Sequence, residues 1–198
     1  MVKLKICGIK REEDIELMNK YKPDFIGFVF ADSSRKISYE LSKTLKGKLN
    51  PQIKTVGVFV NHEINEILKL FQENIIDMAQ LHGNESQDYI NTLKEKTDNK
   101  LKIIKAIEIK SKNDLDNLNY DVDFLLLDSG KGSGKTFPWH LVGQKIDKNF
   151  FLAGGINKDN INEAIEKFQP YAIDLSSSVE KEGFKDEELI KEVMERIN

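Results

Sequence analysis

Residues 55–83, TVGVFVNHEINEILKLFQENIIDMAQLHG, hold one complete repeat of this chain's architecture. TVGVFV is nearly continuous in apolar residues, as a strand covered on both faces is. In HEINEILKLFQEN, Ile64, Ile67, Leu68 and Phe71 recur at spacings of three and four, which predicts one apolar helix face. MAQLHG returns to strand character. Strand, helix and strand in this order predict a parallel pair, because parallel neighbours need a crossover and a helix is the usual one.

The same alternation extends in both directions. Further strand candidates are KLKICGI, FIGFVF, KIIKAIEI, FLLLDS, FFLAGGI and AIDLSSS. Further helix candidates are REEDIELMNKYK, SYELSKTLKGKL, SQDYINTLKEK, SKNDLDNLNY, WHLVGQK, NINEAIEKF and DEELIKEVMERI. REEDIELMNKYK opens on acids suited to the positive end of a helix. Eight strands and eight helical segments can close as a (β/α)8 barrel or open as a doubly wound sheet. The first strand leads into no G-x-G-x-x-G, which weighs against a dinucleotide-binding open sheet. Residues 1–198 are therefore expected to form a single-domain α/β (β/α)8 TIM barrel. At this length its loops must be short. No duplication is visible beyond the alternation itself.

Composition excludes some function classes. Lys and Arg number 30 against 33 Asp and Glu, a formal charge of −3 with no basic stripe, so no nucleic-acid partner is expected. No apolar run approaches the roughly 20 residues of a membrane span, so no membrane partner is expected. The N-terminal MVKLKICGIK has lysines within its apolar stretch and does not read as a signal peptide. One cysteine in the chain fits a reducing cytoplasm. The three histidines fall in unrelated units without metal-ligand spacing, so no metal site is expected.

In a (β/α)8 barrel, function gathers at the carboxyl ends of the strands. Small or polar residues interrupt the apolar runs at those ends: Cys7-Gly8, Gln80 with His82 and Gly83, Asp128-Ser129, Gly154-Gly155 and Ser176-Ser177-Ser178. Arg35 lies in the loop after the second strand. A lone thiol can pack, ligate a metal, or act as base or nucleophile. Small residues after the last two strands let backbone N–H groups approach a phosphate, although Gly154-Gly155 also suit a plain turn. SGKGSGKT resembles a phosphate-binding P-loop, but Ser129 stands where its first glycine belongs and Phe137-Pro138 interrupt the required helix. A loop over the mouth that orders on substrate binding is the better reading.

Eight fragments in chain order resemble the phosphoribosylanthranilate isomerase family. They are KICGI, SSRKIS, VGVFVN, QLHG, LLLDS, GSGKTFPW, LAGGI and DLSSSVE, with Gly183 and Lys185-Asp186 fitting the family's ending. The resemblance implies a barrel with no cofactor and a phosphorylated small-molecule substrate. It implies an Amadori rearrangement of N-(5-phosphoribosyl)anthranilate to 1-(2-carboxyphenylamino)-1-deoxyribulose 5-phosphate, a step of tryptophan biosynthesis. That chemistry needs an acid to open the sugar ring and a base to remove the C2′ proton. Asp128 resembles the family's acid and Cys7 its base. Arg35 would hold the anthranilate carboxylate or tune the thiolate. His82, Gly154, Gly155, Asp174, Ser177 and Ser178 are the further substrate-binding candidates. Gln80 reads better as barrel interior, and Asp174 has a structural hydrogen bond as its alternative. Ser178 replaces the glycine usual after the eighth strand, and Ser33-Ser34 replace a usual proline, which bears on loop geometry.

Two rivals follow from the same residues. A related isomerase of an aminoimidazole ribotide would share the Amadori logic, but such relatives place an aspartate where Cys7 stands. A non-catalytic barrel binding a phosphorylated metabolite would have little use for Cys7, Asp128 and Arg35 together. A monomer or a homodimer is expected.

Overall fold

The computed structural model describes residues 1–111, 114, 118–128, 146 and 148–197. Eight parallel strands close into a barrel in chain order. They are β1 (Lys3–Cys7), β2 (Phe25–Val29), β3 (Lys54–Phe59), β4 (Met78–Leu81), β5 (Lys102–Glu108), β6 (Phe124–Asp128), β7 (Phe150–Leu152) and β8 (Ala172–Leu175). Closure is direct: β8 pairs with β1 with Lys5 opposite Asp174. The described helices are α1 (Glu12–Tyr21), α2 (Tyr39–Lys48), α3 (Ile64–Gln72), α4 (Gln87–Lys96), α5 (Ile161–Phe168) and α6 (Glu187–Ile197). Every strand expectation and these six helices agree with the sequence reading to within a few residues. WHLVGQK, the GKGSGKTF loop and part of SKNDLDNLNY lie outside the described residues.

Local chemistry accounts for the boundaries. The Ser38 and Ser86 hydroxyls accept the N–H groups of Leu41 and Tyr89 and so cap α2 and α4. After α1, Lys22 turns left-handed at φ 52° and Pro23 prevents continuation. Alternate strand residues then serve two different cores. Leu4, Ile6, Leu81, Leu125 and Leu175 face outward and pack with the inner sides of the helices. Phe25, Val56, Met78, Ile104, Leu126 and Phe151 fill the barrel interior.

The amino-terminal end of the barrel is closed by rings. Phe25, Phe124, Phe151 and Tyr171 stack at edge or tilted angles with centroids 4.7–6.4 Å apart. Outside them, an aspartate precedes each of β2, β4 and β6 and reaches back to the strand before. Asp24, Asp77 and Asp123 accept the backbone N–H groups of Leu4, Thr55 and Ile103 at 3.0, 2.8 and 2.9 Å. Three of the four even-numbered strands thus carry the same clamp, a repetition that the fragments PDF, IDM and VDF do not reveal by themselves.

One element was not expected. After β8, Ser177–Val179 form a single 3-10 turn, followed by a hairpin of β9 (Glu180–Lys181) and β10 (Phe184–Lys185). Its turn residues Glu182 and Gly183 have φ of 52° and 79°, the left-handed pair that a two-residue hairpin favours. The usual Asn-Gly or Asp-Gly signal is absent, which hides the hairpin in the sequence.

Candidate active site at the barrel mouth

Cys7 is the last residue of β1 and faces the interior with Val29, Ala31 and Val58. It stands opposite Gly27, where a Cβ would come within 2.6 Å of its Sγ, so only glycine leaves the thiol its room. Burial pushes the thiol up from its ordinary value. Lys5 and Lys185 pull it down, and Asp174 adds to the rise.

Lys5 lies two residues earlier on the same inward face, and its side chain is wholly buried. Its Nζ donates to Asp174 Oδ2 at 2.8 Å. Burial would lower this lysine, but Asp174 and Cys7 outweigh it and hold it charged. Burial also pushes the Asp174 carboxyl up, against the pull of Lys5. The second Asp174 oxygen, Oδ1, is buried without a hydrogen-bond partner. An unpaired acceptor at this depth is costly, so it is a ready place for a ligand donor.

A second set of ions covers the same side of the mouth. Arg35 donates from Nε and Nη2 to the two Glu180 oxygens at 2.9 and 2.6 Å, a forked pair. The buried Lys185 donates to Glu180 Oε1 at 2.7 Å and to the Ser176 carbonyl at 3.1 Å. Burial would raise Glu180, but Arg35 and Lys185 hold it below the ordinary carboxylate range. Gly8, at φ 90°, admits the Arg35 stem, since a Cβ there would sit 2.5 Å from Arg35 Cδ. Glu180 and Lys185 were not among the sequence candidates, and Arg35 is committed to this network rather than standing free in its loop.

Across the barrel, Asp128 ends β6, with its Oδ2 3.6 Å from His82 Nε2. That separation is longer than an ordinary hydrogen bond. Gln80 Nε2 meets His82 Nδ1 at 3.0 Å, which orients the ring from within the barrel. Gln80 is indeed interior, 2% exposed. Gly154 and Gly155 turn after β7 at φ 84° and 67°. Ser177 and Ser178 begin the 3-10 turn after β8, and Ser178 is not among the positive-φ residues. Serine in place of glycine is therefore no strain here. The Ser176 hydroxyl donates to the Cys7 carbonyl at 3.3 Å, tying this turn to the thiol strand.

The structure thus brings Cys7, Arg35, His82, Asp128, Gly154, Gly155, Asp174, Ser177 and Ser178 to the carboxyl ends of the strands and the loops beyond them. Among the described residues, no three His, Cys, Asp or Glu gather as a metal-binding group. A family model described as N-(5'phosphoribosyl)anthranilate (PRA) isomerase matches residues 4–196. The chain belongs to this isomerase family. It is 43% identical to the N-(5'-phosphoribosyl)anthranilate isomerase of Clostridium acetobutylicum, with all of this chain and 98% of the relative covered. The enzyme of Thermoanaerobacter pseudethanolicus is 44% identical at the same coverage. The crystal structure of the Thermotoga maritima phosphoribosyl anthranilate isomerase superposes with a TM-score of 0.90 at 36% identity, covering 99% of this chain and 98% of that one. A crystal structure of a phosphoribosyl anthranilate isomerase in complex with reduced 1-(o-carboxyphenylamino)-1-deoxyribulose 5-phosphate superposes at 0.88 with 35% identity and the same coverage. Membership agrees with the closed barrel, and the family's chemistry can be set against these side chains.

Proposed function

We propose that residues 1–198 act as one domain that catalyses the Amadori rearrangement of N-(5-phosphoribosyl)anthranilate in tryptophan biosynthesis, with Asp128 as general acid and Cys7 as general base. The observation that carries this reading is the pairing of a full-length family match with an acid and a thiol at one mouth. They end strands three places apart around the ring. A carboxyl on one side and a thiol on the other suit proton donation to the ring oxygen and proton removal at C2′ of one sugar.

Asp128 protonates the ring oxygen, the ring opens, and a Schiff base forms at C1′. The Cys7 thiolate takes the C2′ proton, and the electrons shift to give the enolamine, which tautomerises to the ketone. Asp128 ends the turnover ionised and Cys7 protonated, so exchange of one proton with solvent or between them resets the pair.

The other candidates bind. Gly154, Gly155, Ser177 and Ser178 offer backbone N–H groups of two adjacent loops to the phosphate, as phosphate sites after β7 and β8 commonly do. Arg35, whose Nε and Nη2 are held by Glu180, presents its other edge to the anthranilate carboxylate. The unpartnered Asp174 Oδ1 and the His82 ring serve the sugar hydroxyls. The relative with a bound phosphorylated product analogue supports such a ligand. One Thermotoga maritima relative is described as dimeric, which keeps a homodimer beside the monomer for this chain. Small-molecule biosynthesis and a single buried thiol fit a cytoplasmic setting.

The test is turnover of freshly made phosphoribosylanthranilate, followed by loss of its fluorescence. Wild type should consume it, while folded Cys7→Ser and Asp128→Asn should lose most turnover. Wild-type activity in either variant would remove that residue's role. No turnover by folded wild type would favour the non-catalytic binder.

A further inference from the structure

A lysine inside a barrel needs a reason. Lys5 has no exposed side-chain surface, although ammonium groups are almost never fully buried without a partner. Its strand neighbours Leu4 and Ile6 face the helices, so Lys3, Lys5 and Cys7 share the inward face. Lys3 is accounted for by Tyr171 at the closed end of the barrel. Lys5 sits one layer higher, between that plug and the thiol. Its ammonium is paired with Asp174, directly across the β1–β8 ladder. An ion pair whose aim was only to fill this space would be replaceable by apolar side chains at little cost.

We propose that Lys5 and Asp174 are opposed positioning residues for Cys7, the buried ammonium holding the thiolate form in place and the carboxylate setting how strongly it does so. This rests on Cys7 being the base. The ammonium is paired with the Asp174 carboxylate and interacts with the Cys7 side chain two residues along the same inward face, and it stabilises either group when that group is ionised. Asp174 shares the charge of Lys5 and also opposes the thiolate directly. Burial lifts the thiol, and the lysine works against that lift. The other charged groups at Cys7 are Lys185 from β10 and Arg35 from the β2 loop, both tied to Glu180. Asp128 and His82 face Asp174 from β6 and β4.

The arrangement predicts shifts of opposite sign, which a purely structural pair does not. Cys7 is the sole cysteine, so the thiolate absorbance of the folded protein, with Cys7→Ser subtracted as the blank, reads this one group without any turnover. Lys5→Met should move the thiol titration up by about one pH unit or more, with a corresponding tenfold or greater loss of kcat/KM at neutral pH that recovers toward alkaline pH. Asp174→Asn, which keeps the side-chain shape, should move the same titration down. An unchanged titration in both variants, or shifts of the same sign, overturns the proposal. If Lys5→Met does not fold, Asp174→Asn carries the test: a downward shift supports the proposal, and no shift or an upward one overturns it. Because the titration needs no substrate, it separates a failure here from a failure of the isomerase assignment.

Discussion

Gly27→Ala adds one methyl group at the point where fold and chemistry share the least space. The new Cβ would lie 2.6 Å from Cys7 Sγ, 3.1 Å from its Cα and 3.2 Å from its Cβ. Non-bonded heavy atoms rest about 3.5–4.0 Å apart, so the sulfur must retreat by about 1 Å. Rotation of the thiol alone does not suffice, because the added methyl also presses on the β1 backbone itself. Overpacking of this kind costs about 1–3 kcal/mol. For a domain of this length that corresponds to a loss of about 2–12 °C in Tm. A catalytic atom displaced by about 1 Å costs roughly 10²-fold in rate. The loops after β7 and β8 are untouched, so the loss should fall on kcat with KM near wild type. Steady-state kinetics and a thermal melt read both effects. A control comes from Gly47→Ala on the exposed side of α2, where a Cβ meets nothing within 4 Å. That variant should gain up to about 0.5–1 kcal/mol with unchanged kinetics. Wild-type kcat in folded Gly27→Ala, or a loss confined to KM, would refute the claim that Gly27 makes room for the base.

Three further outcomes follow from the buried ions. Lys105 Nζ bonds Glu85 Oε2 at 2.9 Å and the Gly83 carbonyl at 2.6 Å, and both side chains are buried. Lys105→Met should therefore cost about 3–5 kcal/mol in urea unfolding, with part recovered when Glu85→Gln is added. Asp77→Ala strips the clamp from the buried Thr55 N–H and should cost about 1–3 kcal/mol, with kinetics at low temperature near wild type. Burial would raise the carboxyls of Asp77, Glu85 and Glu180, but lysine, arginine and backbone partners hold all three below their ordinary range. Their contribution is full above the unfolded value of about 4 and fades as pH falls through the lower folded values. The urea midpoint should be flat from about pH 5 to 7 and drop below about pH 4, less steeply in Glu180→Gln.

Much of this molecule was legible from periodicity. The strand set followed from apolar runs, and six helices followed from apolar spacing, because both patterns are local. The mouth residues were legible for a related reason: a break in an apolar run at a strand's end is also local. What stayed hidden depends on pairings distant in sequence. Glu180 lies 145 residues from the arginine it grips, and Lys5 is 169 from Asp174. Glu180 and Lys5 each read singly as an ordinary charged residue. Arg35 was given a role by the resemblance, while its partner Glu180, the last residue of the matching DLSSSVE, was given none.

The pattern of β1 shows why the hidden half was hidden. KLKIC alternates polar with apolar, which in an antiparallel sheet puts the polar face in water. Here Leu4 and Ile6 point to the helices, and the face bearing Lys3, Lys5 and Cys7 is the barrel interior. For Lys5 solvation has been replaced by a partner, Asp174, while the half-buried Lys3 donates to Tyr171 at the closed end. The same inversion marks β8, with Asp174 between outward Ile173 and Leu175, and β4, where Gln80 lies between outward Ala79 and Leu81. Interior polarity rises along these strands from aromatic rings at the closed end to ions and His82 at the mouth. A strand of a closed parallel barrel with an alternating pattern is thus the exception that identifies its lumen. Its polar positions are where buried charge is stabilised by a partner across the ladder, and they border the reacting groups.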